Sequence, residues 1–495
     1  MNLTRLLRPR LSDCIVVWLL GGLCLGVPLL DRMPAHDTWW HLQTGRMIAT
    51  THSVPSTDVF SYTAHGQPWV IHEWLSLLLT WLVYARLGLA GLTVMKSLVI
   101  FSTFLVVFLT VRWRGSTGIA AISATAFAAL LSMPGWSARP QVFGYLCFAI
   151  LIWLIERSRR GASLWPAVPL FALWVNLHAS WPVGIAVLVA FGAEIVWRVR
   201  FDGNSSSLRR FIKPLPFVVA ALFLNPRPIA ILGHPLHYFG PTRDPDFVAW
   251  QTFVSEWHSP NFHEPSFMVF ATALLVLPVL LAVSQARVRS VELILVLGFA
   301  GASLYCQRHI PIFAIALAPL VADGVSGVAR RLGKENTSEV EPTDSTALDW
   351  VVILALPFLI FAMFKWGPNP CREMKDYPVR SFDYLERGGR SGKLLTDYSW
   401  GGYAIFRLWP RYKVFVDGRA DVYSGEIARS IRILGALEPG WRGELKKANP
   451  DAIVWPKKEP LAQALELLPE WRRVKLTPDD KVSVVFVPAR ARSED

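Results

Sequence analysis

The sequence predicts a polytopic α-helical membrane protein of about eleven transmembrane helices, followed by a C-terminal soluble α/β domain. Three observations carry this reading. The 495-residue chain is 53% hydrophobic and only 18% charged, with a mean hydropathy of +0.35. Its apolar residues come in long runs, such as 15–30, 97–111 and 351–364, and a bilayer-spanning helix needs roughly 20 such residues. Beyond about residue 370 these runs stop, and short β-rich stretches alternate with helical patterns.

The runs place spans at about 12–30, 92–111, 117–133, 140–156, 164–179, 182–198, 211–224, 266–284, 290–305, 309–322 and 348–366. The first follows Arg5, Arg8 and Arg10. It reads as a retained span, because Asp31 and Arg32 come straight after it with no small-residue cleavage site. Residues 71–90 open on His72 and Glu73 and are interrupted by Arg86, so they read as an amphipathic helix lying at the interface.

The formal charge of +13 is assigned to topology and not to nucleic acid. With the N-terminus in the cytoplasm, the inner segments hold eighteen Lys and Arg residues and the outer loops before the last span six, leaving aside Arg86 and Lys96 in the ambiguous stretch, as the positive-inside rule requires. The expected location is a bacterial inner membrane. Residues 1–366 form the transmembrane domain, with outer loops 31–91 and 225–265. Residues 323–347, rich in Gly, Ser, Thr, Glu and Pro, form a cytoplasmic linker, and 367–495 form the extracytoplasmic α/β domain. In that domain strands are expected at 393–396, 414–417, 452–455, 473–476 and 482–487, with helices at 426–437 and 461–468. The five cysteines follow no metal or disulfide pattern.

Functional groups gather in the outer loops. The first combines Asp37, Trp39, Trp40 and His41 with Asp58, Trp69, His72, Glu73 and Trp74. If 37–48 is helical, Asp37 and His41 share a face at i and i+4. The indoles also suit an aromatic belt at the membrane interface, and the His72–Glu73 pair suits a helix start. Further along come Arg139 and Gln141, Asn176 and His178, then Asn225 and Arg227. A long loop carries His234, His237, Arg243, Asp244, Asp246, Glu256, Trp257 and His258, and Gln307, Arg308 and His309 open the tenth span. Ionisable groups at membrane depth are costly and mark sites or pathways.

Such a set suits glycosyl transfer from a lipid-phosphate donor. Asp37 is the first candidate base, with Glu73 and Asp58 as alternatives. Arg308 and Arg139, with Arg243 third, are candidates for the phosphate, since a guanidinium fork binds two oxygens. His41, His72, Asn176, His178, Glu256 and His309 complete the substrate-binding candidates. A divalent cation, Mg or Mn, held by Asp37, Asp58 or His41 would share the charge. In the C-terminal domain, Asp417, Arg419 and Asp421 follow a β-run. They read as a tight turn with an Asp–Arg pair, or, together with Trp400, as a site for acceptor or sugar at a strand end.

The first-loop acid just past span one, the surface helices after it and the outer terminal domain resemble the GT-C superfamily of membrane glycosyltransferases, which includes protein O-mannosyltransferases, oligosaccharyltransferases and lipid A aminoarabinose transferases. The sequence resembles more closely a set of uncharacterised bacterial polytopic membrane proteins. They share Asp-x-Trp-Trp-His-Leu-x-x-Gly, here 37–45, and His-Glu-Trp-Leu-Ser, here 72–76. They also share Ser-Glu-Trp-x-Ser-Pro at 255–260, Arg-His-Ile-Pro at 308–311, Trp-Gly-Gly-Tyr at 400–403 and Val-Asp-Gly-Arg at 416–419. The resemblance implies a polyprenyl-phosphate-linked sugar donor, an outer-face acceptor (protein, lipid or glycan) and Asp37 in the position of the catalytic acid. Many GT-C enzymes pair two acidic residues here, whereas Thr38 and Trp39 follow Asp37, so the identity of the base stays open.

Two other readings compete. A transporter or flippase would place its site near the midplane of repeated halves, and the chain shows no internal repeat. A non-catalytic scaffold in envelope polysaccharide assembly would use the outer domain to bind a partner.

Overall fold

The computed structural model describes residues 20–23, 35–116, 118–202, 206–234, 245–251, 253–332, 374 and 376–489. The chain divides into two compact units: 1–32, 89–228 and 256–370 form one, and 33–88, 229–255 and 371–495 the other.

The first unit is helical, and it makes the chain a multi-pass membrane protein. Among the described residues, six helices are long and apolar enough to cross a membrane: Trp74–Arg114, Gly118–Gly135, Gln141–Arg159, Trp181–Phe201, Pro265–Ser284 and Gln307–Arg331. Ala167–Leu177 and Ser290–Tyr305 are shorter and equally apolar. A 19-residue helix such as Gln141–Arg159 is about 28 Å long, close to the thickness of a bilayer core.

Helix Ile310–Arg331 is central. It packs on Gly118–Ser132, Pro265–Ser284, Ser290–Tyr305 and Gln141–Arg159. Its Ala314, Ala318 and Ala322 and the buried Ala120, Ala121, Ala124 and Ala128 of its neighbour are small, and small residues let backbones approach where lipid supplies no hydrophobic drive. At Gly327 a Cβ would lie 2.7 Å from the Ser284 carbonyl oxygen, so glycine is required there. Helix Pro265–Ser284 is peripheral and leaves Leu275, Val276 and Val279 exposed, as expected of a lipid-facing surface.

The second unit holds a five-stranded sheet. Its strands are β1 (Gly392–Thr396), β2 (Tyr412–Val414), β3 (Ala452–Pro456), β4 (Trp471–Arg473) and β5 (Ser483–Pro488), in the order β2-β1-β3-β5-β4. β1 runs parallel to β2 and β3, whereas β5 is antiparallel to β3 and β4. β3 and β5 are buried on nearly every residue, as apolar strands covered on both faces should be. The first loop extends this sheet at the free edge of β2. The Val414 N–H donates to the Phe60 carbonyl at 3.1 Å, and the Tyr62 N–H to the Val414 carbonyl at 3.0 Å.

One expectation holds: most of 71–90 is a helix of its own, because the apolar stretch Trp74–Arg114 is two helices meeting at a kink at Gly88 (φ 62°, ψ −159°), where the units also divide. Two others need correction. The span expected at 211–224 is two short helices, Ser206–Ile212 and Leu215–Ala221, because Pro214 cannot continue the first. Residues 323–331, expected to open the linker, are helical. Helix Ile310–Arg331 continues because Asp323 pairs with Arg114 at 2.5 Å. Residues 333–347, the last span at 348–366 and most of the first lie outside the described residues.

Candidate functional site

In the second unit, the first loop and the sheet-bearing segment are built around one another. Helix Thr38–Thr51 packs on helix Tyr398–Leu408. Trp39 is buried against Tyr377 and Tyr403, with ring centroids 5.7 and 4.9 Å apart. Trp40 is buried beside His41 and Trp69. These indoles are core residues and not an interfacial belt. Trp400 is buried too, and its Nε1 donates to the Asp376 carbonyl at 2.9 Å.

Asp37 caps the first helix and is half-buried. It accepts a hydrogen bond from Trp40 Nε1 at 3.2 Å. A Cβ at Gly418 would lie 2.0 Å from Asp37 Oδ1. The glycine of Val-Asp-Gly-Arg thus exists to admit this carboxylate. The Trp-Gly-Gly-Tyr glycines serve the same close packing: a Cβ at Gly401 would meet the Val416 carbonyl at 2.1 Å, and one at Gly402 the His36 carbonyl at 2.9 Å.

His41 faces Glu73. His41 Nε2 lies 3.2 Å from Glu73 Oε1, and His72 Nε2 lies 3.3 Å from Glu73 Oε2. Burial would raise the Glu73 carboxyl, but the charge of His72 and hydrogen bonds from His41 and His72 hold it well below the usual glutamate range. Beyond Glu73, the His72 ring stacks on His234 with centroids 4.8 Å apart, and one ligand atom from each of His72, His234 and Asp421 falls within 4.8 Å of the others.

Asp58, Asp417 and Arg419 form a closed cluster. All three are buried. Asp58 accepts from the Phe60 and Ser61 N–H groups at 3.0 Å each, from the Ser61 hydroxyl at 2.6 Å and from Arg419 Nη1 at 2.7 Å. Arg419 also grips Asp417 through Nε at 2.8 Å and Nη2 at 2.6 Å, and it lies over the Trp69 ring at 4.5 Å. Burial raises the Asp58 carboxyl, yet the Arg419 charge and the Ser61 hydrogen bond outweigh it and keep the pKa below its ordinary value. With every oxygen engaged and no exposed surface, Asp58 has no access to a substrate proton. Asp417 and Arg419 likewise face each other and not a ligand. Of the four ligand candidates in this segment, Asp421 alone is exposed. Asp37, Asp58 and His41, the residues expected to hold an ion, do not belong to a group of three ligand side chains among the described residues. Among the described residues, the one set of three His, Cys, Asp or Glu able to share an ion is His72, His234 and Asp421. His234 was one of the polar groups noted in the long outer loop, without being assigned a role, and Tyr423, whose hydroxyl lies 3.3 Å from Arg419 Nη2, carried no signal.

In the first unit, Arg139 and Arg308 converge on Glu256. Arg139 is bidentate, with Nη1 and Nη2 at 2.6 and 2.8 Å from the two carboxylate oxygens. Arg308 Nη1 approaches from 3.4 Å, with 31% of its side chain exposed. Burial would raise the Glu256 carboxyl, but Arg308, Arg139 and His178 together hold it below its ordinary value. His178 Nδ1 is 2.9 Å from the Ser180 hydroxyl. Asn176 donates to the Leu224 carbonyl at 2.9 Å and accepts from Asn225 Nδ2 at 3.0 Å, a clamp between helix ends. His309 Nδ1 lies 3.3 Å from the Cys306 carbonyl. Arg243 lies outside the described residues.

Acidic side chains also fill the opposite ends of these helices. Arg114 holds Glu292 at 2.6 Å and Glu156 at 3.3 Å, and Arg159 holds Glu194 at 2.6 Å. Those arginines are tied up in carboxylate pairs, whereas among the described residues Arg308 pairs with Glu256 alone, at 3.4 Å.

No protein-family model and no curated protein matches the chain. Solved structures do. The Archaeoglobus fulgidus oligosaccharyltransferase with a tethered acceptor peptide aligns with a TM-score of 0.58 at 13% identity, over 89% of this chain and 68% of its own. ArnT from Cupriavidus metallidurans aligns at 0.51 and 14% identity, over 95% and 97%. The mycobacterial arabinofuranosyltransferase AftD aligns at 0.52 and 14%, over 96% of this chain and 42% of its own. At these identities the likeness speaks of architecture, and the chain has the GT-C fold.

Proposed function

We propose that the protein is a membrane glycosyltransferase that moves a sugar from a polyprenyl-phosphate-linked donor to an acceptor on the extracytoplasmic face. The observation that carries this reading is the pair of guanidinium groups, Arg139 and Arg308, gathered on Glu256 in a chain of GT-C fold. Glu256 holds the Arg139 fork in place, and the looser Arg308 is the group with most to gain from a phosphate oxygen. In the reaction, the acceptor loses its proton to a carboxylate as it attacks the anomeric carbon. The bond from that carbon to the phosphate oxygen breaks, and the arginines stabilise the charge left on the phosphate. Among the carboxylates of the second unit, Asp37 is the candidate base on its own residue type and exposure. It is half-buried, against the closed setting of Asp58 and the two-histidine embrace of Glu73. The Lys- and Arg-rich helix ends support a cytoplasmic location for that end of the membrane unit.

The test is binding of a polyprenyl phosphate to the full-length protein in nanodiscs. Arg308→Ala should weaken binding about tenfold or more, the scale of a lost charge-assisted hydrogen bond, and Arg308→Lys should restore it only in part. Equal affinity in wild type and Arg308→Ala would overturn the phosphate assignment.

A further inference from the structure

We infer that His72, His234 and Asp421 form a binding site for a zinc-class divalent cation. The three residues come from widely separated parts of the chain, and all belong to one compact unit. One ligand atom from each lies within 4.8 Å of the others. The two imidazole rings are nearly parallel, at 24° and 4.8 Å. Around a tetrahedral zinc with bonds of about 2.0–2.2 Å, ligand atoms are about 3.4 Å apart, so small side-chain rotations close the set. Two imidazoles and one carboxylate favour zinc over magnesium, which prefers an all-oxygen shell.

The surroundings are those of a built metal site. Glu73 Oε2 engages Nε2 of His72 at 3.3 Å, which assigns Nδ1 to the ion. A carboxylate on the far nitrogen of a ligating histidine fixes its tautomer and strengthens it as a ligand. Glu73 is itself anchored from its other oxygen by the buried His41 at 3.2 Å. His234 is buried, His72 half-buried and Asp421 exposed. A three-ligand zinc leaves its fourth position to water. Bound there, the ion ties the start of helix Trp74–Arg114, the end of helix Pro228–Gly233 and the turn after Arg419 into one node. The inference stands apart from the proposed glycosyl transfer, since it concerns metal content.

The experiment uses full-length protein in nanodiscs, stripped with a chelator and titrated with zinc chloride. Bound zinc is counted by mass spectrometry. Wild type should hold about one zinc per chain, and cobalt loading should give visible bands of four-coordinate intensity. Asp421→Asn, a near-isosteric change at an exposed position, should weaken binding at least tenfold, and His234→Ala should abolish it. Glu73→Gln should weaken binding about 10–100-fold. His263→Ala, at an exposed histidine remote in sequence from the set, should bind as wild type. If His234→Ala fails to fold, Asp421→Asn decides. Substoichiometric zinc in wild type, unchanged affinity in Asp421→Asn, or binding of magnesium alone would overturn the assignment.

Discussion

Arg419 and Asp58, far apart in the sequence, meet with no exposed surface at a distance of 2.7 Å. The pair fastens the first loop to the sheet-bearing segment, and Asp417 shares the same guanidinium. Burial of three charges is costly unless each is matched. Here burial would lower the Arg419 guanidinium, but Asp417, Tyr423 and Asp58 push it well above its ordinary value, so it stays charged.

Removing the arginine strands two carboxylates. Arg419→Ala should therefore cost about 3–5 kcal/mol, and Asp58→Asn less, because Asp417 still balances the cation. Arg419→Lys should not rescue, since one ammonium cannot span both carboxylates and lie flat on Trp69. Thermal unfolding in detergent, followed by size-exclusion chromatography, orders the three variants. A Lys variant as stable as wild type would refute the bracing role.

Gly418 and Gly443 separate packing from propensity. A Cβ at Gly418 would collide with Asp37 Oδ1, whereas one at Gly443 meets nothing within 4 Å. Gly418→Ala should destabilise by about 1–3 kcal/mol. Gly443→Ala, within helix Trp441–Ala448, should stabilise by about 0.5–1 kcal/mol. Melting temperatures moving in the same direction would contradict this account.

The contrast shows what was legible in the sequence. Apolar runs gave helices Gly118–Ser132, Gln141–Arg159, Pro265–Ser284 and Ser290–Tyr305 within a few residues, because lipid forces backbone groups to be satisfied within each span. The β-rich runs located all five strands, although β2 and β4 lie two residues earlier than expected. The separate helix within 71–90 was legible too, because Gly88 takes a non-helical conformation and ends it there. Among the site residues, Asp37, Arg139, Glu256 and Arg308 stood out by type and context. Residue type did not reveal that Asp58 faces Arg419, or that His234 joins His72 and Asp421. Those meetings depend on the packing of distant segments, which periodicity does not encode.

Glu256 gives the first unit a pH dependence of known sign. Its carboxyl is held below the ordinary value by Arg308, Arg139 and His178 against the effect of burial. A depressed acid contributes stability that is fully present above its unfolded pKa of about 4.3 and is lost as pH falls through the lower folded value. Wild type should thus lose thermal stability as pH drops below about 4, and Glu256→Gln, already lacking the charge, should lose less over the same interval. Identical acid profiles would show that the Arg–Glu–Arg set contributes nothing.

Asp37 offers a substitution that separates chemistry from folding. Its Oδ1 accepts the Trp40 indole N–H at 3.2 Å, and an asparagine carbonyl oxygen in the same place accepts that bond equally well. Asn also keeps the shape that Gly418 accommodates. Asp37→Asn should therefore insert, fold and melt like wild type. It cannot take a proton from an acceptor, and a positioned base is worth about 10²–10⁴ in rate. Sugar transfer from a polyprenyl-phosphate donor in membranes should fall by that factor while polyprenyl-phosphate binding is kept. Transfer at the wild-type rate would move the base role away from Asp37, and loss of folding together with transfer would make Asp37 a structural cap.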